Sequence, residues 1–207
     1  MPRSSEGERR RKDPYYLAAK KAGYRSRSAF KIRQMAKNHK LLQGVDIALD
    51  LCSAPGGWTQ ILHELNTSMK IVAIDLDPMP PVQGAHFIQG SILDDDVIKQ
   101  AQQLIGSPFD LVLSDCSPKV SGQWDLDVAR QLELAERTFE IGQMVLGPKG
   151  KALAKVFQGQ GFQEFLQDMR KRYNSVKLIK PAASRKTSAE IYLLAIGPRR
   201  KAQSEKK

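Results

Sequence analysis

The chain has 207 residues, 41% of them hydrophobic and 27% charged, with a formal net charge of +11, which suits one globular domain with a substantial core. No run approaches the roughly 18 apolar residues of a membrane span, and no apolar segment follows the charged N-terminus, so a soluble, cytoplasmic protein without membrane association is expected. Cys52 and Cys116 are the only cysteines and lie in no paired motif, so neither a disulfide framework nor a metal site is expected.

Residues 1–12 are polar and charged without periodicity and read as a disordered basic tail. The charge is uneven: residues 1–40 carry a net of +10 and residues 198–207 a further +4, leaving −3 for the body. Cationic ends neutralise phosphates and release counterions, so nucleic acid is the first partner class to weigh against plain solubilising tails. From Asp13 onward Tyr15, Tyr16, Tyr24, Phe30 and Ile32 interleave with Lys20, Lys21, Arg25, Arg27, Lys31 and Arg33. The apolar positions from Ala29 to Leu42 predict an amphipathic helix with a basic outer face. Segment 13–42 is therefore a candidate RNA-binding segment, whose aromatics are expected to dock on the core rather than stack on bases.

From residue 46, short apolar runs alternate with helical segments. Strands are predicted at Ile47–Leu51, Ile71–Asp75, His86–Gln89, Asp110–Asp115, Ala152–Phe157, Ser175–Ile179 and Ile191–Ile196, and helices at Trp58–Leu65, Asp95–Ile105, Asp125–Val145 and Phe162–Tyr173. Alternating strands and helices imply an α/β, Rossmann-like, mostly parallel seven-stranded sheet with helices on both faces. No helix separates the last two strands, so these should pair antiparallel. The domain is expected to span 13–197, with 198–207 a second basic tail.

In such sheets ligands bind beyond the carboxyl ends of the strands. The first strand runs into Ser53-Ala54-Pro55-Gly56-Gly57-Trp58, where glycines let the backbone approach a nucleotide-like cofactor. The three-glycine dinucleotide fingerprint is absent. Asp75 ends the second strand, placed to accept hydrogen bonds from ribose hydroxyls, with Asp77 as its competitor. Ser91 or Asp94 follows the third strand near where an adenine amino group would lie, although Asp94-Asp95-Asp96 also reads as a helix start. Asp115 ends the fourth strand, Lys155 interrupts the apolar run Ala152–Phe157, and Glu190 opens the last strand. Charges at inward strand positions are costly unless paired, so these residues form either a site or a structural ion pair.

These residues and five ordered motifs resemble the FtsJ/RrmJ family of S-adenosylmethionine-dependent ribosomal RNA (uridine-2′-O-)-methyltransferases. The motifs are Ser26–Lys31, Leu49–Trp58, Ser114–Pro118, Lys155–Gly159 and Lys180–Arg185, and the resemblance runs from Tyr24 to Gly197. It implies methylation of a ribose 2′-hydroxyl, with ribosomal RNA of the large subunit as the usual partner. The catalytic set would fall on Lys31, Asp115, Lys155 and Glu190. S-adenosyl-L-methionine would be held by Gly56, Gly57, Trp58, Asp75, Ser91 and Asp115. Two departures stand out: Ser91 replaces a frequent Asp, which weakens the adenine contact, and Cys52-Ser53 replaces Gly-Ala.

A ribose hydroxyl is a weak nucleophile, so such a site must position it and take its proton as the bond forms. Lys155 is the expected base or final hydrogen-bonding partner, Lys31 and Glu190 orient, and Asp115 faces the methyl donor. The alternatives are action on transfer RNA, a non-catalytic RNA-binding ribosome assembly factor, and a same-fold enzyme acting on DNA, protein or a small molecule. The presence of all four charged residues disfavours the assembly factor, and Ser114-Asp115-Cys116-Ser117 stands where amino-methylating enzymes carry an Asn-Pro-Pro-Tyr-type motif. A monomer is expected.

Overall fold

Apolar runs of four to six residues rich in Ile, Val and Leu suit strands buried on both faces. The computed structural model describes residues 13–185 and 188–199, and residues 1–12 and 200–207, where basic tails are expected, lie outside the described residues. Seven strands form one sheet: β1 (Ile47–Leu51), β2 (Lys70–Asp75), β3 (Ala85–Gln89), β4 (Phe109–Ser114), β5 (Leu146–Phe157), β6 (Tyr173–Ile179) and β7 (Glu190–Pro198). Their order is β3-β2-β1-β4-β5-β7-β6. Strands β1 to β5 pair in parallel, whereas β7 runs antiparallel to both β5 and β6. The mostly parallel sheet with an antiparallel last strand is as the sequence predicts.

Successive strand residues point to opposite faces, and each face meets its own helices. On one, α2 (Ala29–His39) and α3 (Gly57–Leu65) pack Ile32, Met35, Ile61 and Leu62 against Ala48, Ile71, Leu113, Leu153 and Leu194. On the other, α4 (Asp95–Ile105), α5 (Trp124–Val145) and α6 (Phe162–Arg172) pack Ile98, Phe139 and Met169 against Leu49, Val72, Val112, Ala152 and Leu193. The aromatics of the basic N-terminal segment dock on one another, with Tyr15 and Tyr24 rings 5.6 and 5.5 Å from Phe30.

Three local expectations change. A separate helix α1 (Pro14–Lys21) precedes α2, opened by Asp13, whose carboxylate accepts from the amides of Tyr15 and Tyr16 at 3.1 and 3.2 Å. It went unseen because Ala19 is its one buried residue, too little for a periodic signal. Helix α2 stops at His39, where Lys40 takes a left-handed conformation (φ 52°). Strand β5 begins at Leu146, six residues before the predicted start, because Gly147, Pro148 and Gly150 mask it and its register against β4 shifts between Phe109 and Leu111.

The chain leaves β1 for β2 on one side, then crosses back from β3 to β4 on the other. A crevice therefore opens between the carboxyl ends of β1 and β4. Leu51 pairs in register with Ser114, so the residues just beyond, Cys52 and Cys116, come together. Contrary to the sequence expectation they form a disulfide with Cα atoms 5.2 Å apart, a pairing hidden by 64 residues of intervening chain.

Candidate active site

Each strand end at this crevice delivers one part of the site. After β1, the loop turns on Gly56, whose φ of 98° favours glycine. The loop is tied on three sides. Ser53 N–H donates to Ile74 O at 3.1 Å, and Ala54 N–H donates to Asp75 Oδ2 at 2.8 Å. The Arg25 guanidinium donates to the carbonyls of Pro55 (3.2 Å), Pro80 (2.6 Å) and Pro81 (2.6 Å), joining the loop to the Pro-rich connection after β2. Trp58 is buried in α3 and its indole N–H donates to Ser28 O at 3.0 Å. The cleft above is lined by Ser26, Ser28, Asp50, Ser53, Trp58 and Asp115, among others.

Two carboxylates therefore face one small cleft. Asp50, 1% exposed, accepts from Thr59 Oγ1 at 2.6 Å. Burial pushes its carboxyl up to about 7 despite that hydrogen bond, and the neighbouring charges of Asp115 and Asp75 push the same way. Asp115 is held below the usual carboxylate range: burial opposes this, but the ammonium groups of Lys155 and Lys31 and the Tyr192 hydroxyl prevail. Two acidic groups, three serine hydroxyls and a glycine turn without a Cβ at its apex suit a cationic nucleoside-type cofactor such as S-adenosylmethionine.

The four charged residues meet beside this cleft. Lys31, on α2, lies 2.6 Å from Glu190 Oε1, at the start of β7. Lys155, 6% exposed on β5, lies 3.3 Å from Asp115 Oδ1 and donates to the Asp115 carbonyl at 2.7 Å. The Tyr192 hydroxyl joins the two pairs, accepting from Lys31 Nζ at 3.2 Å and donating to Asp115 Oδ1 at 2.6 Å. Burial and the adjacent Asp115 and Glu190 charges raise the Tyr192 phenol well above its usual value, so it remains protonated. Ser184 Oγ donates to Glu190 Oε1 at 2.9 Å, fixing the outer carboxylate. The result is an unbroken polar chain, Glu190, Lys31, Tyr192, Asp115, Lys155, at one end of an otherwise apolar face.

Gly57, Trp58 and Asp115 line the cleft. Gly56, Asp75 and Ser91 are not among its lining residues. Both Asp75 oxygens accept backbone amides, from Ala54 and, at 2.9 Å, from Asp77, so this carboxylate shapes the glycine loop after β1. A carboxylate has lone pairs beyond those two for a ligand. Ser91 Oγ accepts from Leu93 N–H at 3.1 Å, and Asp94 caps α4 by accepting from Asp96 N–H at 2.9 Å, the helix start that its three consecutive carboxylates suggest.

Sequence reasoning missed three contributors. Tyr192 sits two residues after Glu190 and directly opposite Lys155, and a period of two along β7 would have placed it on the charged face. Arg25 reads as an RNA-facing cation but serves the loop. Gln131, buried on α5, donates from Nε2 to the carbonyls of Cys116 (3.2 Å) and Lys155 (2.8 Å), and only its place in the fold reveals that role.

A sheet of this order, with a glycine turn at its switch point and an acidic cleft beside a Lys-Asp-Lys-Glu cluster, defines a Rossmann-like methyltransferase. Residues 24–198 match the model of the FtsJ-like methyltransferase family, and the chain belongs to that family. It is 41% identical over 184 residues to the ribosomal RNA large subunit methyltransferase E of Archaeoglobus fulgidus, covering 89% of this chain and 95% of that one. The Stenotrophomonas maltophilia protein of the same name is 38% identical over 189 residues, 90% of each chain. A Plasmodium falciparum protein assigned as a ribosomal RNA methyltransferase shares the fold, with a TM-score of 0.77 at 24% identity, over 86% of this chain and 100% of that one. Family membership bears out the expected S-adenosylmethionine-dependent methyltransferase.

Proposed function

We propose that this protein transfers the methyl group of S-adenosylmethionine to a ribose 2′-hydroxyl of ribosomal RNA, at a uridine of the large subunit. The observation that carries the chemistry is the continuous chain from Glu190 to Lys155 beside a cleft suited to a cationic cofactor. The names of its relatives support the substrate. When bound, the cofactor supplies an activated methyl on a sulfonium. Asp115, with Asp50 behind it, lends that region negative charge, and Gly56, Gly57 and Trp58 shape the floor. Asp75 and Ser91, at the ends of β2 and β3 outside that cleft, would meet the nucleoside end of the cofactor. Lys155 accepts or directs the hydroxyl proton, while the Lys31–Glu190 pair orients the ribose.

The methyltransferase domain spans 13–197 and acts as a cytoplasmic monomer. No helix among the described residues is long and apolar enough to cross a membrane. Exposed Lys20, Lys21, Lys37 and Lys40 in the 13–42 segment are available for phosphates, whereas Arg25, Arg27 and Arg33 are bound within the fold. Phosphate contacts of this kind hold RNA without reading its sequence.

Incubation with methyl-labelled cofactor and separated large-subunit ribosomal and transfer RNA pools tests the reading. Label is expected in the ribosomal pool, at a nuclease-resistant ribose linkage, and absent with Lys155→Ala, which should still bind S-adenosylhomocysteine. Label confined to transfer RNA would overturn the ribosomal assignment. No label in either pool would return the chain to the assembly-factor class.

A further inference from the structure

Beyond the charged cluster, the same rim of the sheet carries an aromatic pair that core packing does not explain. Phe157 is the last residue of β5, two after Lys155 and therefore on the same face of the strand. It pairs in register with Glu190 across the antiparallel β5–β7 ladder, as Lys155 pairs with Tyr192. Four residues thus share one patch, three from the polar chain and one a phenyl ring at its outer edge. Over that ring lies Trp124, the first residue of α5, with centroids 5.8 Å apart and planes within 20° of parallel. Trp124 is 49% exposed.

One half-exposed apolar side chain needs no explanation by itself, but an indole stacked on a second ring beside a charged cluster presents an open aromatic face. This one is held in place. Asp127, one turn along α5, accepts from the Ser121 amide and hydroxyl at 2.8 Å each and from the Gly122 amide at 3.2 Å, fixing the loop that leads into Trp124. The position of Gly159 next to Val128 seats the start of α5 against the end of β5, where a Cβ would come within 2.8 Å of Val128 Cγ2. An ordered, stacked and half-open aromatic surface next to a ribose-modifying cluster is what an unpaired base needs in order to settle on a protein.

We propose that Trp124 and Phe157 form a stacking platform for an unpaired nucleobase of the substrate RNA, adjoining the Lys155–Glu190 patch. The proposal rests on the RNA reading above and extends it: the substrate is engaged single-stranded or locally opened, not as intact duplex. Stacking tolerates any base, so the platform recognises exposure of a base and leaves its identity to other contacts.

The test is binding of a fluorescein-labelled single-stranded oligoribonucleotide and of its duplex, followed by anisotropy. Trp124→Ala should weaken single-strand binding about tenfold, leave duplex binding within about twofold, and leave S-adenosylhomocysteine binding by calorimetry intact, while Trp124→Phe restores the single-strand affinity. As a second readout that needs no destabilising variant, single-stranded RNA should quench wild-type indole fluorescence, and Trp124→Phe should lose that quench. Single-strand affinity of Trp124→Ala within twofold of wild type, or an equal loss on both RNAs, overturns the platform. So does a quench that persists in Trp124→Phe. Failure of methyl transfer by the wild type with the Trp124 dependence intact would remove the proposed activity and leave the platform standing.

Discussion

The Tyr192 hydroxyl stands 2.6 Å from Asp115 Oδ1, with Lys31 Nζ 3.2 Å away on its other side. Its oxygen hydrogen-bonds the inner Asp115–Lys155 pair and the outer Lys31–Glu190 pair at once. Its ring packs 5.7 Å from that of Trp58 and 5.6 Å from the Lys31 ammonium. Tyr192→Phe keeps that packing and removes only the oxygen. A hydrogen bond to a charged group is worth about 1.5–3 kcal/mol, so single-turnover methyl transfer should fall by about tenfold or more, with S-adenosylhomocysteine affinity nearly unchanged. An unaltered transfer rate would make the phenol a spectator.

The glycine loop after β1 depends on a close approach at Gly57. A Cβ there would collide with the Ser26 hydroxyl, so Gly57→Ala should weaken cofactor binding in calorimetry by about tenfold, the effect of overpacking by one methyl group. Removing the opposing oxygen with Ser26→Ala leaves Ser26 Cβ at 3.2 Å as the nearest remaining atom, and the double variant should recover part of the loss. Additive losses in the double variant would show that the two positions do not compete for space.

The parts of this fold legible in the sequence are those with a period. Ile47–Leu51 and Asp95–Ile105 are read to the residue, because the first is an apolar run leading into the Ser53-Ala54-Pro55-Gly56 turn and the second an amphipathic stripe closed by Gly106. Asp115, Lys155 and Glu190 are legible as charges at strand ends or inside the apolar run Ala152–Phe157, whereas only the family resemblance picks Lys31 out of its basic segment. What stays hidden is what needs the third dimension. Tyr192 looks like an ordinary strand aromatic until β7 is laid against β5. Arg25 looks like one more cation in a basic segment until its guanidinium is found on three carbonyls. The two cysteines look unrelated until the β1–β4 register brings their strands' ends together.

Asp50 predicts a pH dependence. Its carboxyl is raised to about 7 in the folded protein, above the usual range, so folding is opposed by its ionisation. That contribution is absent near pH 4, grows as pH rises toward 7, and is constant beyond. Asp50→Asn removes it. The difference in unfolding free energy between variant and wild type should therefore move in the variant's favour between pH 4 and 7, by an amount on the order of a few kcal/mol. A pH-independent difference in denaturant midpoints would show that this carboxyl titrates alike in the folded and unfolded chain.

The Cys52–Cys116 bridge closes a loop across 64 residues of sequence separation. Thiol titration of denatured, non-reduced protein should find no free thiol. Cys116→Ala should lower stability by about 4 kcal/mol relative to the oxidised wild type in the chain-entropy account, and by much less when both are compared under dithiothreitol. Equal stabilities without reductant would show that the bridge does not constrain the unfolded chain.

The reversal of β7 has a further consequence. Parallel strands can bring only their last residues to the binding rim, and each must then leave it by a crossover. Because β7 runs the other way, β6 arrives at that rim and β7 departs from it, so the described residues of their connection, 180–185 and 188–189, lie at the edge of the site. Ser184 and Glu190 are its contributions to the polar chain. Ala183, 1% exposed, accepts from Arg27 at 2.7 Å and donates to Gln34 at 2.9 Å, so the outer wall of this site is tied to the basic N-terminal segment, while its inner wall is built into the sheet.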